Sequence, residues 1–200
     1  MKKIIFSAIA AFGIMFSNTA SAQALEEGNL VFDVYYGFPN LYTTVFKAAY
    51  TQGTEEGLSV SGIGPVGFRA EYLLADKIGL GLDIGFNNTK VSYIETGLLE
   101  DYTYDFSTKK IGVLLTFNYH FIDNDQVDFY GVFGVGYGNR TFSFESSDPS
   151  YTQAEISSLI PIASRIGVGV RYFLTDNLGI NVAAGFGQGG ILNAGLSVKI

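Results

Sequence analysis

IGVLLTFNYHF, residues Ile111 to Phe121, carries Ile111, Val113, Leu115, Phe117, Tyr119 and Phe121 on one parity and Gly112, Leu114, Thr116, Asn118 and His120 on the other. Successive side chains of a β-strand point to opposite faces, so this stretch reads as a strand with one greasy face. The helical period of 3.6 fits it poorly. Seven further stretches show the same alternation: residues 30–38, 66–74, 78–87, 128–137, 165–172, 178–186 and 192–200. In the 128–137 stretch the parity is interrupted, because Gly131 falls among Phe129, Phe133 and Val135. Each stretch matches the roughly 9–11 residues that a tilted strand needs to cross a bilayer.

Alternation alone also suits a soluble sandwich. Three features point to a membrane instead. Tight connections at residues 75–77, 123–125 and 175–177 alternate with long polar stretches near 39–60, 88–108 and 139–159, which read as loops. The connection at 188–190 is short. Aromatics close the apolar faces at both ends: Tyr36, Phe86, Tyr137 and Phe186 at one, Tyr72, Tyr119 and Tyr172 at the other. Such rings suit the two membrane–water boundaries. The face opposite the apolar one holds Asp33, Arg69, Glu71, Asp83, Lys110, Arg165, Arg171 and Lys199. A dry core of that composition would be very costly. The expected fold is therefore all-β: a closed antiparallel up-and-down eight-stranded transmembrane barrel whose first and last strands pair, since an open edge in lipid leaves backbone groups unsatisfied.

The N-terminus reads as a separate unit. Met1-Lys2-Lys3 is basic, Ile4–Phe16 is apolar, and Ala20-Ser21-Ala22 offers small residues for cleavage. Residues 1–22 are expected to be a secretory signal peptide and residues 23–200 the barrel. The apolar run is too short for a spanning helix. The 200 residues hold 12 basic and 19 acidic side chains, which argues against nucleic acid as a partner. Removing Lys2 and Lys3 makes the mature chain more acidic still. There is no cysteine and one histidine, which excludes thiol chemistry and a His-rich or Cys-ligated metal site.

The pattern resembles the small outer-membrane barrels of the OmpX, OmpW and OmpA type. The last strand, with Leu192, Ala194, Leu196, Val198 and Ile200 alternating to the C-terminus, looks like the signal that the outer-membrane assembly machinery reads. That resemblance implies outer-membrane lipid and the assembly machinery as partners and the outer membrane as location. Barrel enzymes of this size place histidine with acidic or serine partners near the outer rim, whereas His120 is expected near the periplasmic end. No catalytic, cofactor or metal site is therefore expected. His120 joins Asp33, Arg69, Glu71, Asp83, Lys110, Arg165, Arg171 and Lys199 in one polar lumen network, with Asp128 as a further acid. An eight-stranded barrel is just wide enough for side chains to fill it.

Two glycine spacings, at Gly62, Gly64 and Gly67 and at Gly185, Gly187 and Gly190, match a dinucleotide fingerprint but lack the helix and βαβ unit that it needs. The inward glycines are expected to make room for long side chains opposite. Glu55, Glu56, Glu95, Glu100, Asp101, Asp105, Glu145, Asp148 and Glu155 make the loops acidic. Leu41, Tyr42, Val45, Phe46 and Tyr50 give the first loop an apolar character suited to folding over the mouth. The expected role is structural or surface-interacting, through these loops. A passage for small hydrophobic molecules or a narrow pore, as in OmpW-like barrels, is the alternative. It needs a hollow apolar lumen, whereas Leu73 and Leu114 are the only Leu or Ile on the inward face of strands two to eight. A soluble lipocalin-like carrier would need the two faces exchanged.

Overall fold

The computed structural model describes residues 24–50, 57–97 and 100–200. The expected signal peptide, Glu55 and Glu56 lie outside them. Among the described residues nine strands form: β1 (Leu30–Phe38), β2 (Ser59–Ala75), β3 (Ile78–Thr96), β4 (Asp101–Asp123), β5 (Val127–Ser146), β6 (Ala154–Ser157), β7 (Ile162–Phe173), β8 (Leu178–Phe186) and β9 (Leu192–Lys199). Each pairs antiparallel with its neighbours, and β1 pairs with β9. Tyr35 lies opposite Gly195 and Val31 opposite Lys199, so the wall closes. Eight strands make that wall, while β6 pairs only with the far part of β5, at Thr141–Phe144.

The two faces divide as the sequence implies. Leu80, Leu115 and Leu196 face outward and are exposed. Arg69, Asp83 and Arg171 point inward and are buried. In β5 the parity holds through Gly131, and Phe121 lies over the gap that glycine leaves in the outer face. The outward band on β3, from Ile78 to Phe86, spans roughly 20 Å at the usual barrel tilt, close to the apolar height of such barrels.

The long stretches at 88–108 and 139–159 are mostly strand, over 88–96, 101–108, 139–146 and 154–157, which corrects the sequence reading. Strands β2 to β5 continue well past the barrel rim, and β6 joins them. Their amphipathicity inverts there. On β4, outward Ile111 to Phe121 are apolar, but outward Asp101, Thr103, Asp105, Ser107 and Lys109 are polar. On the inward parity, Thr108 is followed by Phe106, Tyr104 and Tyr102. On β5, outward Asn139, Thr141, Ser143 and Glu145 oppose inward Phe142 and Phe144. Below the rim hydrocarbon is the outer solvent; above it, water is. The same strand therefore exchanges its apolar face as it leaves the membrane. A bulge in β2 between Ile63 and Val66, at Gly64 and Pro65, sits where β1 ends and the projection begins.

The projecting sheet carries an outward ion pair, Lys90 Nζ to Asp105 Oδ2 at 2.8 Å. Partial burial pushes the Asp105 carboxyl up, but hydrogen bonds from Lys90 and Ser92 outweigh it and hold it below the usual range. Such a half-exposed pair contributes little, and Lys90→Ala is expected to lower the unfolding free energy in urea by no more than about 1 kcal/mol.

Candidate functional site: the filled lumen and its closures

From the turn end upward, the lumen is occupied in layers. Ala24 and Leu25 tuck into that end against Val31, Leu73 and Phe173 as an apolar stopper. Ala24 N donates to the carbonyl of Asn124 at 2.7 Å. Lys199 Nζ donates to the Ala24 carbonyl at 2.8 Å. Lys199 thus holds the stopper in place.

Above it lies an ionic layer built on Arg171. Its guanidinium donates to both oxygens of Asp33, at 3.2 and 3.0 Å, to Glu71 Oε2 at 2.7 Å and to Asp128 Oδ2 at 2.8 Å. Five donors in a planar fork allow one arginine to serve three carboxylates on β1, β2 and β5. The free oxygens of two of them meet His120: Nδ1 lies 2.6 Å from Asp128 Oδ1 and Nε2 lies 2.9 Å from Glu71 Oε1. Ser197 Oγ donates to Asp33 Oδ1. The Tyr130 ring stacks over Arg171, 4.3 Å from the guanidinium carbon to the ring centre.

A second ionic layer follows. Arg165 pairs with Asp83 Oδ2, and the Tyr35 hydroxyl donates to Asp83 Oδ1 at 2.8 Å. Arg69 bridges the layers: it donates to the Tyr130 hydroxyl at 2.8 Å and to Asn193 Oδ1 at 2.6 Å, lies over the Tyr35 ring and sits 3.6 Å from Asp33. The inward glycines make these contacts possible, as expected. Gly67 lies directly beneath the Tyr35 ring, Gly169 beneath the Tyr130 ring and Gly79 against the Glu71 carboxylate, each with no room for a Cβ.

Higher still, the β8–β9 connection folds inward. Gly187 and Gly189 take positive φ, 134° and 98°, which other residues adopt at a cost. The connection places Gln188 in the lumen, buried beside Gly85 and Gly112. Asn87 Nδ2 donates to the Gln188 carbonyl at 3.0 Å and Lys110 Nζ to that of Gly187 at 2.6 Å.

The mouth is covered by helix α1 (Leu41–Tyr50). Asn40 caps it, accepting from Thr43 N at 3.2 Å. Leu41 N donates to the Gly189 carbonyl at 3.1 Å, and Thr43 and Thr89 hydroxyls are 2.9 Å apart. Tyr42 lies under Arg140 at 3.6 Å, and Phe46 packs edge-on to Phe106 at 5.2 Å, with Phe144 beyond. The first loop thus folds over the mouth, with Tyr42 and Phe46 turned towards it.

Of the nine residues that the sequence assigns to one network, seven meet: Asp33, Arg69, Glu71, Asp83, His120, Arg165 and Arg171. Lys110 and Lys199 stand apart, at opposite ends, each on a backbone carbonyl. Asp128 belongs fully to the network. Tyr35, Tyr130, Asn193 and Ser197 share the inward parity and complete it, although parity alone cannot say which inward polar groups touch. Both nitrogens of His120 are engaged with carboxylates.

No protein-family model matches the sequence, and no curated protein matches it. Among solved structures, the chain is similar to the outer membrane protein OprG from Pseudomonas aeruginosa, with 15% identity, 90% of this chain and 99% of that one covered, and a TM-score of 0.53. It is also similar to the N-terminal β-barrel domain of Pseudomonas aeruginosa OprF, with 16% identity, 88% and 98% coverage and a TM-score of 0.47. Ail of Yersinia pestis gives 16% identity, 86% and 95% coverage and a TM-score of 0.43. The likeness to OprG bears out the fold: this is a small eight-stranded outer-membrane β-barrel, and its apolar band is the surface such a barrel turns to the outer membrane.

Proposed function

We propose that the chain is a closed, non-conducting outer-membrane barrel that carries no catalytic site and whose task is to hold a rigid surface sheet above the membrane. One observation supports this above the rest: Arg171, Arg165 and Arg69 tie strands from all sides of the wall together across the lumen. A stopper lies on one side and α1 on the other. The projecting strands, with acidic Glu95, Asp101, Glu145, Asp148 and Glu155, form the part available to a partner in the medium. Strand β9, apolar on alternate residues, would serve as the handle for the outer-membrane assembly machinery.

A second reading, uptake of small apolar molecules at the mouth, draws support from the aromatic inward face above the rim, where Phe46, Phe106, Phe142 and Phe144 gather. Any such molecule would meet Gln188 and two ionic layers on a straight course through the lumen.

Planar-bilayer recording separates the two. The folded protein, identified by its shifted gel migration before boiling, is expected to give no steady conductance steps at either polarity. Steps above background in the purified protein would overturn the plugged-barrel reading.

A further inference from the structure

Between β6 and β7 the chain makes a bulge whose place relative to the rim is fixed by backbone bonds. Ser158 N donates to the Arg140 carbonyl at 2.9 Å, and Gly138 N donates to the Pro161 carbonyl at 2.9 Å. From Gly138 to Arg140, β5 advances two residues while the partner strand advances three. Leu159 and Ile160 therefore stand together opposite Asn139, one residue in surplus. Bulges of this kind push side chains away from the sheet.

The two side chains it pushes out are among the largest aliphatic ones. Leu159 is 98% exposed and Ile160 73%. They do not enter the lumen, where Ala163, the inward neighbour of Ile162, is buried. Their height is that of the rim. Directly below, Ile162 lies opposite Tyr137, the outer-ring aromatic of β5, and Ile166 opposite Phe186. Level with the bulge is outward Asn139, and directly above runs a row polar throughout, in which Asn88 faces Lys109, Lys109 faces Thr141 and Thr141 faces Ser157.

The geometry points to lipid as the occupant of this bulge: we infer that Leu159 and Ile160 are a membrane-boundary anchor, inserted among the outer-leaflet chains just above the aromatic ring. They run through exposed Pro161 into Ile162, which is 70% exposed opposite Tyr137 on the lipid-facing wall. Water would otherwise meet two aliphatic side chains with no cover. The anchor would fix the height of the projecting sheet, since β6 hydrogen-bonds to β5 within that sheet. This goes beyond the proposed function and stands whether or not the lumen conducts.

The chain has no cysteine and no tryptophan, so single reporters are unambiguous. Ile160→Cys is refolded into phosphatidylcholine vesicles and treated with a membrane-impermeant maleimide. Ser150→Cys, at an exposed polar turn, serves as the water reference, and Ile166→Cys, on the wall, as the lipid reference. The thiol at 160 is expected to react several-fold more slowly than that at 150 and to approach that at 166. Labelling as fast as at 150 would overturn the anchor. Leu159→Trp gives an independent readout, expected as blue-shifted emission that vesicles brominated near the headgroup quench strongly and aqueous acrylamide quenches weakly. Red-shifted emission with the reverse quenching would overturn it equally. Each variant is first shown to keep the gel shift of the folded barrel, and if Ile160→Cys loses it, the tryptophan readout decides.

Discussion

Arg171→Met lowers the unfolding free energy of the barrel by about 3–5 kcal/mol, the usual cost of removing one member of a buried ion pair. The effect is expected at the top of that range, because three carboxylates lose their common cation at once. Asp33, Glu71 and Asp128 are buried, and Arg171 itself is 1% exposed. No other cation reaches all three: Arg69 touches only Asp33, and then at 3.6 Å, while His120 serves Glu71 and Asp128. Methionine restores much of the volume under the Tyr130 ring but offers no donor. Three strands, β1, β2 and β5, would then press like charges together at the lumen centre.

Urea titration followed by the gel shift measures the loss as a fall in midpoint. Arg171→Lys is expected to recover only part of it, since an ammonium cannot reproduce a planar fork bridging three acceptors. Adding Asp33→Asn to Arg171→Met should recover stability, because the damage is the uncompensated charge and not the missing contacts alone. A midpoint that Arg171→Met leaves in place would show that water, and not the guanidinium, screens these carboxylates.

That layer was visible in the sequence only as a list. Period-two alternation gives each residue a side of the wall, and Asp33, Arg69, Glu71, Asp83, Arg165 and Arg171 all fell on the inner side. Which of them touch depends on tilt and stagger, which place Arg171 of β7 beside Asp33 of β1, 138 residues away. Alternation within a strand carries no such information. Lys110 and Lys199 share the inward parity but sit at opposite ends of the lumen, Lys110 midway along β4 at the rim and Lys199 at the end of β9, where long flexible stems reach carbonyls instead.

The projection above the rim was legible and went unread for a related reason. Its strands alternate too, from Lys90 to Tyr93 and from Tyr102 to Ser107, but with the greasy and polar parities exchanged. A single rule of greasy side outward turns such a stretch into an apparent loop. Where the parity flips, between Phe86 and Asn88 on β3 and between Lys109 and Ile111 on β4, the solvent changes. The flip therefore marks the membrane boundary in the sequence itself. Helix α1 was hidden differently. Leu41, Tyr42, Val45 and Phe46 have helical spacing and follow a capping Asn40, but ten residues are too few for periodicity to decide without the mouth they cover.

The second large effect concerns a proton. The lumen core holds four carboxylates, Asp33, Glu71, Asp83 and Asp128, against three guanidiniums, Arg69, Arg165 and Arg171. His120 stands between two of the carboxylates with a ring nitrogen on each. A neutral imidazole has one N–H, so one of these contacts would set a lone pair against a carboxylate oxygen. With both nitrogens protonated, both contacts become charge-assisted hydrogen bonds and the core reaches four positive charges against four negative.

His120→Gln tests this directly. It retains a donor for one carboxylate but removes the charge, and is expected to destabilise the barrel by about 2–4 kcal/mol, between a lost charged hydrogen bond and a broken buried pair. Asp128→Asn alone should also destabilise, because it leaves the core with surplus positive charge. Together the two changes restore the balance, so the double variant is expected to lie above the sum of the single losses. Its midpoint should stand at or above that of His120→Gln alone. The nitrogen resonances of His120 in detergent are expected to show two N–H groups at neutral pH. A single N–H, together with strictly additive losses in the cycle, would mean that the ring binds as a neutral spacer and that the lumen carries a net negative charge. A core of that sign would press its carboxylates apart, and the close contacts of Arg171 with three of them leave no room for that separation.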